Sequence, residues 1–295
     1  MHALNRSTVT LALSLVAAIS LAQAQPKPGP WFTSKEVAPG VLRIEDHGSD
    51  NMYLVLGKSK ALLVDTGLGV GRLADFLKTL TALPVVVVNT HGHPDHAGGN
   101  NEFKTVYAHP AEFETIRVFG TKESRQNTIA RMTQGASAAD TMSVDDAMRL
   151  PPAELVPIRD GHVFDLGGRE LEVIEQPGHT PGEIVLLDAA RRLVLTGDND
   201  NGLVWLFLPN CLPLEVYGGS LKKLQARSGE FDTLLPGHGE PLPKTFIADQ
   251  IACVGTILDG TCRDEPYQSF AGNGRVCKCA NAAIAFNPAN LRAKK

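Results

Sequence analysis

A histidine-rich motif constrains this chain most strongly, because it brings three imidazoles and one carboxylate together within six residues. The motif is THGHPDHAGGN, residues 90–100, and it directly follows the four valines of residues 85–88. A short apolar run of this kind is typical of a buried strand, and Pro94 and the paired glycines predict a turn after it. Imidazole nitrogens and carboxylate oxygens are ligands that zinc accepts. The spacing differs from the helical HExxH pattern, so we expect a metal site on a loop at a strand end.

Three further motifs place a histidine or an aspartate at the end of a predicted strand. PGHTPG places His179 in a turn between two strands, TGD places Asp198 just after an apolar strand, and PGHG places His238 between two glycines after another strand. Each motif alone is weak evidence, since single polar residues in turns commonly cap or solvate the turn. A surface loop rich in histidine is the alternative for the first motif, and the ordered series of four motifs disfavours it.

The four motifs together resemble the metallo-β-lactamase-fold hydrolase superfamily, in its lactonase and glyoxalase II-like branch, over roughly residues 41–258. The resemblance implies an α/β protein, a four-layer αβ/βα sandwich with two divalent metal ions at one edge between the sheets. The residues that it implies as ligands are His91, His93 and His179 for the first metal, Asp95, His96 and His238 for the second, and Asp198 as the bridge. Asp65 resembles the family's structural acid, which hydrogen-bonds to the ligand loop. Zinc is the favoured ion, with iron and manganese as alternatives.

Such a centre predicts metal-assisted hydrolysis. Two divalent ions about 3.5–4 Å apart lower the pKa of a shared water, so that hydroxide is the nucleophile near neutral pH. No serine or cysteine nucleophile is then required. Asp95 and Asp198 are the predicted catalytic residues, because their carboxylates can orient the hydroxide and accept its proton.

Family analogy supplies the choice of bond. Members with aspartate at the position of Asp198 resemble lactonases, thioesterases of the glyoxalase II type and related esterases, whereas β-lactamases of this fold generally carry cysteine or serine there. We therefore expect a hydrolase of a small-molecule ester or lactone. A β-lactamase and a glyoxalase II-type thioesterase are the alternatives. A two-iron oxidoreductase is disfavoured, because no room for a flavodoxin-like or rubredoxin-like domain follows residue 258.

Two segments are candidates for substrate recognition. Residues 111–150 have a polar helical pattern and are predicted to be an insertion over or beside the site, a candidate lid. Residues 201–213 follow Asp198 directly and are rich in apolar side chains. Trp205 and Phe207 are the candidates there for lining an apolar substrate pocket, and a buried strand or turn is the alternative.

The N-terminal residues have the pattern of a targeting segment. An apolar run over residues 9–21 follows Arg6, and Ala22-Gln23-Ala24 has the small-x-small pattern of a signal-peptidase site. The run is shorter than the roughly 20 residues of a membrane span, so we predict a cleaved signal peptide at 1–24, a leader at 25–40 and no stable membrane span. The mature protein is then secreted or periplasmic. A retained anchor is the alternative.

Four of the five cysteines lie near the end of the chain, around the predicted Cys-rich tail at residues 259–295. In an exported protein they predict disulfides. Cys277 and Cys279 are too close in sequence to bond each other easily, so each is expected to reach back to Cys253 or Cys262. A structural zinc site is the alternative, and it is disfavoured because no CxxC pair is present.

The charge of the chain argues against a nucleic-acid partner. The 295 residues carry a net charge of -4, and no run rich in lysine or arginine occurs. A small molecule is the expected binding partner. His47, His109 and His162 lie outside the ligand motifs and are predicted to be surface or hydrogen-bonded residues.

Overall fold

The structure is a computed structural model that describes residues 30–133 and 140–294. Its strands are β1 (Phe32–Ala38), β2 (Val41–Asp46), β3 (Asn51–Leu56), β4 (Ala61–Val64), β5 (Val85–Val88), β6 (Thr105–Ala108), β7 (Glu154–Pro157), β8 (Val163–Asp165), β9 (Glu170–Glu175), β10 (Ile184–Asp188), β11 (Leu193–Gly197), β12 (Leu203–Leu206), β13 (Thr233–Pro236), β14 (Leu242–Pro243), β15 (Glu265–Ser269), β16 (Gly272–Cys279) and β17 (Ala282–Phe286). Its helices are α1 (Leu73–Leu80), α2 (Pro94–Ala97), α3 (Phe113–Phe119), α4 (Lys122–Met132), α5 (Val144–Arg149), α6 (Leu214–Ala226) and α7 (Phe246–Leu258).

Two sheets face each other across a shared core. The first has seven strands in chain order, β1 to β7, and the second has the order β14-β13-β11-β10-β9-β8. Side chains alternate along each strand, so Leu62 and Val64 of β4 meet Ile184 and Leu186 of β10 between the sheets. Leu63 points the other way, toward the helices.

Helices cover the outer face of each sheet. Helices α1, α4 and α5 pack on the first sheet, and α6 and α7 pack on the second. The apolar face of α6 is buried, including Leu214, Tyr217, Leu221 and Leu224. This arrangement is the predicted α/β fold, a four-layer αβ/βα sandwich, which is confirmed.

The topology brings the predicted ligand loops to one edge of the two sheets. Strands β4 and β5 are parallel, as are β11 and β13, so the loops that leave β5, β11 and β13 start from the carboxyl ends of the strands. The loop between β9 and β10 lies at the same edge, since the backbone N–H of Ile184 donates to the carbonyl of Thr90 at 3.0 Å.

The predicted leader needs a correction. Within residues 25–40, strand β1 pairs with β2 along six register positions and forms the edge of the first sheet. Most of its side chains are exposed, so the sequence shows no apolar alternation that would mark a strand. The predicted signal peptide, residues 1–24, lies outside the described residues.

The predicted Cys-rich tail at residues 259–295 consists largely of strands. Strands β15, β16 and β17 form a third sheet with β12, in the order β12-β17-β16-β15. Cys253 bonds to Cys279 and Cys262 bonds to Cys277, so each of the two later cysteines reaches back as expected. Cys211 is free and buried.

The predicted insertion over residues 111–150 contains α3, α4 and α5, and residues 134–139 within it lie outside the described residues. Few of its helical side chains are buried: Ile116, Arg125, Ile129 and Ala147. Within the described ranges, none of the helices combines the length and the apolar character needed to cross a membrane.

Candidate metal centre

The histidine-rich motif leaves β5 and turns at once into the short helix α2. His93 is the N-cap of that helix and Pro94 is its first residue, where the fixed φ of proline favours helix formation. The two glycines that follow allow close packing against the preceding chain. A Cβ on Gly99 would lie 2.3 Å from the carbonyl oxygen of Thr66.

Three imidazoles converge in a first group, His91, His93 and His179. His91 Nε2 lies 3.1 Å from His93 Nδ1, and His179 Nε2 lies 2.8 Å from the same atom. All three side chains are buried. Three imidazole nitrogens at one point form a ligand set that zinc accepts.

A second group contains Asp95, His96 and His238. Asp95 Oδ2 lies 3.5 Å from His238 Nε2 and 3.9 Å from His96 Nε2. Asp198 lies between the two groups: its Oδ1 is 3.3 Å from His96 Nε2 and 3.4 Å from His238 Nε2, while its Oδ2 is 3.5 Å from His179 Nε2. One carboxylate therefore faces both groups.

Each imidazole is oriented by a partner on its outer nitrogen. The pairs are His91 Nδ1 with Thr90 Oγ1 at 3.1 Å, His93 Nε2 with the side-chain amide group of Asn210 at 3.1 Å, His96 Nδ1 with Asp65 Oδ2 at 2.9 Å, His179 Nδ1 with the Trp205 carbonyl at 2.6 Å, and His238 Nδ1 with the Ser49 carbonyl at 2.8 Å. The other nitrogen of each ring faces the centre. Such outer partners fix the orientation of metal-binding histidines.

Two observations show that the residues fit a pair of metal ions. His96 Nε2 is buried and has no hydrogen-bond partner among the described residues, although it points at the carboxylates. Gly237 leaves space beside Asp198, since a Cβ there would lie 2.6 Å from Asp198 Oδ1. A buried imidazole nitrogen without a donor or acceptor is costly unless an ion completes it.

Burial keeps the first group ready to bind a cation. Burial, followed by the charge of His96, holds the pKa of His91 well below its ordinary value. Burial likewise lowers the pKa of His93 to about 3. Neutral imidazoles present free lone pairs at neutral pH, which metal binding requires.

The carboxylate of the second group and that of Asp198 are both ionised at neutral pH. Burial alone raises the pKa of Asp95, but His96 and His238 outweigh burial and lower that pKa to about 2. Burial also raises the pKa of Asp198, but the charges of His238 and His96 outweigh burial. The pKa of Asp198 therefore lies well below its ordinary value. Two carboxylates facing buried nitrogens therefore supply the negative charge that a second cation needs.

Asp65 lies behind the ligand loop. Its Oδ1 accepts the backbone N–H of Thr90 at 2.7 Å, and its Oδ2 accepts the Thr90 hydroxyl at 2.8 Å as well as contacting His96. Its φ of 67° lies in the left-handed region, which is uncommon for aspartate. These contacts match the structural acid that the sequence indicates.

Sequence reasoning missed Glu112, a buried carboxylate that joins two ligand loops. Its Oε2 accepts the backbone N–H of Gly92 at 2.9 Å, and its Oε1 accepts that of Gly182 at 2.6 Å. A Cβ on Gly92 or Gly182 would lie within 3.0 Å of the same carboxylate. No local pattern marks Glu112, because it begins a polar helical segment and both of its partners are distant in the chain.

Glu183 was missed as well. Its Oε1 accepts the backbone N–H groups of Asp198 at 2.7 Å and Asn199 at 3.0 Å. Burial and the Asp198 charge raise the pKa of Glu183 well above its ordinary value. A sequence signal existed: a glutamate directly before the apolar strand β10 needs a buried partner.

The remaining predicted residues lie around this centre or away from it. Trp205 is half-buried and Phe207 is buried, on β12 and just after it, and their role in a substrate pocket stays a prediction. The other histidines of the described ranges lie outside both groups: His47 stacks on Trp31, His109 Nε2 contacts Glu175, and His162 packs against Tyr107 and Phe164.

Comparison with known proteins places this geometry in context. The family model of the metallo-beta-lactamase superfamily matches residues 46–238, a range that contains both groups. The chain is similar to "Acyl-coenzyme A thioesterase MBLAC2" of Gallus gallus, with 29% identity over 234 residues that cover 70% of this chain and 80% of that protein. It is also similar to "Atrochrysone carboxyl ACP thioesterase nsrC" of Aspergillus novofumigatus, with 26% identity over 78% of this chain and 62% of that protein.

Solved structures share the fold. A metallo-beta-lactamase from Pontibacter korlensis superimposes with a TM-score of 0.55 at 19% sequence identity, over 75% of this chain and 97% of that one. At this identity the likeness supports the architecture alone.

Proposed function

The chain belongs to the metallo-β-lactamase superfamily and is a metal-dependent hydrolase, and on that premise we propose that it is a secreted enzyme that cleaves an acyl ester or lactone of a small molecule. The position of Asp198 carries this proposal, because one carboxylate faces a group of three imidazoles and a second group with a carboxylate of its own. That arrangement suits two divalent ions close together.

The proposed ligands are those of the two groups. His91, His93 and His179 would hold one ion, Asp95, His96 and His238 the other, and Asp198 both. Zinc fits the nitrogen-rich first group best, and iron or manganese would fit the same donors. When bound, two such ions would polarise a substrate carbonyl and make hydroxide available near neutral pH.

The side chains around the ions then have separate tasks. Asp95 is half-buried and its pKa of about 2 keeps it ionised, so it can accept a proton from an attacking water. Asp198 is held by Asn201, whose Nδ2 donates to Oδ1 at 3.0 Å, and this fixes the direction of its oxygens. Asn210 is half-buried and its side-chain amide lies 3.1 Å from His93 Nε2. From that position the amide can donate a hydrogen bond to a substrate oxygen.

A thioester is the second candidate bond, and the relatives favour it. Both sequence relatives described above are named as thioesterases. Esters and thioesters share an acyl carbonyl, and they differ in the leaving group, an alkoxide or a thiolate. The same carboxylates and donors would serve either substrate. A lactam remains the third choice, because aspartate rather than cysteine or serine stands at position 198.

Export is part of the proposal and has its own support. Residues 22–24 have the pattern of a signal-peptidase site after an apolar run, and the two disulfides near the C-terminus suit an oxidising compartment. N-terminal sequencing of the protein recovered from the periplasm or the medium should begin at Gln25. Recovery of the uncleaved chain in the cytosolic fraction would overturn the export proposal and leave the hydrolase proposal intact.

The substrate proposal is tested with a panel of substrates on mature protein of known metal content. The panel contains an acyl-homoserine lactone, an aryl ester, an acyl thioester and a cephalosporin, each assayed before and after chelation. Preference for the lactone or ester, lost on chelation and restored by Zn²⁺, supports the proposal. Preference for the thioester selects the second candidate. A cephalosporin that is hydrolysed orders of magnitude faster than the other substrates contradicts the assignment of an ester or lactone substrate.

A further inference from the structure

One aromatic side chain is unusually exposed. Phe270 lies at the turn between β15 and β16 and is 90% exposed, against 52% for Val118 and 47% for Val163, the other large exposed hydrophobic side chains of the described residues. Single exposed apolar residues need no explanation, but Phe270 does not stand alone.

Phe270 extends a cluster of aromatic rings that begins at β12. The ring of Trp205 lies 5.7 Å from that of Phe270, 5.2 Å from Phe207 and 6.2 Å from Tyr267, measured between centroids. Phe207 and Tyr267 are 5.5 Å apart. Phe207 is buried while Trp205 and Tyr267 are half-buried, so the cluster has a packed base and an open apolar face.

The third sheet is built to hold this cluster together. Strands β12 and β15 are its opposite edges, yet their aromatic rings meet because the two strands between them carry small residues on this side, alanines on β17 and glycines on β16. A Cβ on Gly274 would lie 2.9 Å from Phe207 Cβ, and one on Gly272 would lie 3.5 Å from the Phe207 ring. Both disulfides tie β16 to helix α7 or to the segment after it, so the hairpin that carries Phe270 is anchored to the core.

The aromatic cluster is linked to the metal centre through the backbone of Trp205. The carbonyl of Trp205 is the hydrogen-bond partner of His179 Nδ1 at 2.6 Å. Asn210, a few residues further along, contacts His93. The same residue thus orients a metal-binding histidine with its backbone and presents its indole to the aromatic cluster.

The chemistry of the face suits an aliphatic ligand. Besides the aromatic rings, the partly buried members of the cluster are Leu203, Leu208 and Ala283. The charged side chains of the two hairpin strands are already paired: Lys278 with Glu265 at 3.0 Å and Arg275 with Asp264 at 2.7 Å. An anionic group would therefore find no free partner in these strands, whereas an alkyl chain would bury apolar surface.

We propose that Trp205 and Phe270 form a subsite for the alkyl chain of the acyl substrate, with Phe207 and Tyr267 as its base. This inference rests on the proposed acyl hydrolase function and adds its substrate class, a medium or long straight-chain acyl group. The subsite belongs to the C-terminal sheet, most of which lies outside the region that the family model matches.

The kinetic test compares p-nitrophenyl acetate, butyrate and octanoate in the full mature protein loaded with Zn²⁺. Each methylene group buried against the aromatic face should raise kcat/KM, by up to about fourfold at full burial. We expect a steep rise from butyrate to octanoate in the wild type. Phe270→Ser and Trp205→Leu should each lower the ratio of kcat/KM for octanoate to kcat/KM for butyrate roughly tenfold. Val163→Ser, at an exposed position of the second sheet, should leave this ratio unchanged.

A binding test separates this inference from the proposed function. The chain has two tryptophans, and Trp31 is 2% exposed, so a quencher that enters the subsite should act on Trp205. Titration of metal-free protein with 2-bromodecanoate should quench the fluorescence of the wild type and much less that of Phe270→Ser. This result would support the subsite even if no ester were hydrolysed.

Two results would overturn the inference. Hydrolysis of the esters with the same chain-length dependence in wild type, Phe270→Ser and Trp205→Leu would leave the acyl hydrolase function standing and remove the subsite. Self-association of the wild type, abolished by Phe270→Ser at the same concentration, would identify the aromatic face as a contact between two copies instead. Light scattering on both proteins distinguishes that case.

Discussion

Glu112 accepts a hydrogen bond of 2.6 Å from the backbone N–H of Gly182, across 70 positions of sequence. Its other oxygen accepts the N–H of Gly92 at 2.9 Å, so one buried carboxylate fixes the distance between the loops that carry His91, His93 and His179. Glu112 also opens the segment predicted as a lid. That end of the segment is therefore anchored to the metal centre, and any movement of the segment has to occur further along.

The first prediction concerns this carboxylate. Glu112→Gln should weaken metal binding by the group of His91, His93 and His179 about 10- to 100-fold, because the amide nitrogen would face one of the two N–H donors. Glu112→Ala should weaken it at least as much, since it leaves two buried N–H groups without acceptors. Titration with Co²⁺, followed by visible absorption, measures the affinity directly.

A matched control is available on the next helix. Glu114 is exposed, and Glu114→Gln makes the same chemical change two positions away from Glu112 without touching either ligand loop. Its Co²⁺ titration should match that of the wild type. Equal Co²⁺ affinity in all three variants and the wild type would mean that Glu112 does not position the loops.

The metal centre could be predicted only where its residues lie close together in the sequence. His91, His93, Asp95 and His96 share one motif, so their proximity was visible in the sequence. Glu112 was not visible as a site residue, because its partners are backbone N–H groups of distant loops. Glu183 was visible only as a charged residue directly before an apolar strand, and its backbone partners were not visible. A side chain that bonds to main chain leaves no residue-type pattern at the other end, and only the fold reveals it.

The strands also differ in whether the sequence reveals them. Strands β5 and β11 were predicted from continuous apolar runs, the four valines of β5 and the run before Asp198 in β11, which is buried on both faces. Strands β1 and β15 were missed, because most of their side chains are exposed and their stability comes from pairing with β2 and β16. Local composition cannot show a strand whose stability is supplied by its neighbour.

The second prediction concerns the carboxylate between the two groups. Asp198→Ala should lower metal content and hydrolytic activity together, because Asp198 faces His96, His179 and His238 within 3.5 Å. Activity should fall by at least about 100-fold, of the order seen when a metal-site residue is lost. Metal analysis after gel filtration and the ester assay measure the two quantities on one sample. His162→Ala removes an imidazole outside both groups and should change neither, and full turnover by Asp198→Ala would contradict the dinuclear assignment.

The third prediction is a pH dependence of stability. Glu102 accepts the backbone N–H groups of Leu73 and Ala74 at the start of α1, and burial raises its pKa from 4.5 to about 7. The unfolded chain loses this proton near pH 4.5 and the folded chain near pH 7. The stability that the protonated group supplies is therefore complete below pH 4.5 and lost as pH rises through 7.

Urea unfolding between pH 4.5 and 8 checks this sign. The free energy of unfolding of the wild type should decline relative to that of Glu102→Gln as pH rises, because glutamine keeps a neutral side chain at every pH. Glu114→Gln, at an exposed site, should run parallel to the wild type. A difference between wild type and Glu102→Gln that stays constant or changes in the opposite direction would refute the raised pKa.

The last prediction concerns the disulfide that closes the shorter loop. Cys262 and Cys277 are 15 positions apart, and restricting the unfolded chain over a loop of that length stabilises a protein by about 3 kcal/mol. The double variant Cys262→Ser/Cys277→Ser should lose about that much in guanidinium unfolding under oxidising conditions. In the presence of a reductant, wild type and variant should become equal, because both then lack the cross-link. The pairing would be contradicted if reductant left the stability of the wild type unchanged. It would also be contradicted if alkylation of the wild type labelled more thiols than Cys211 alone.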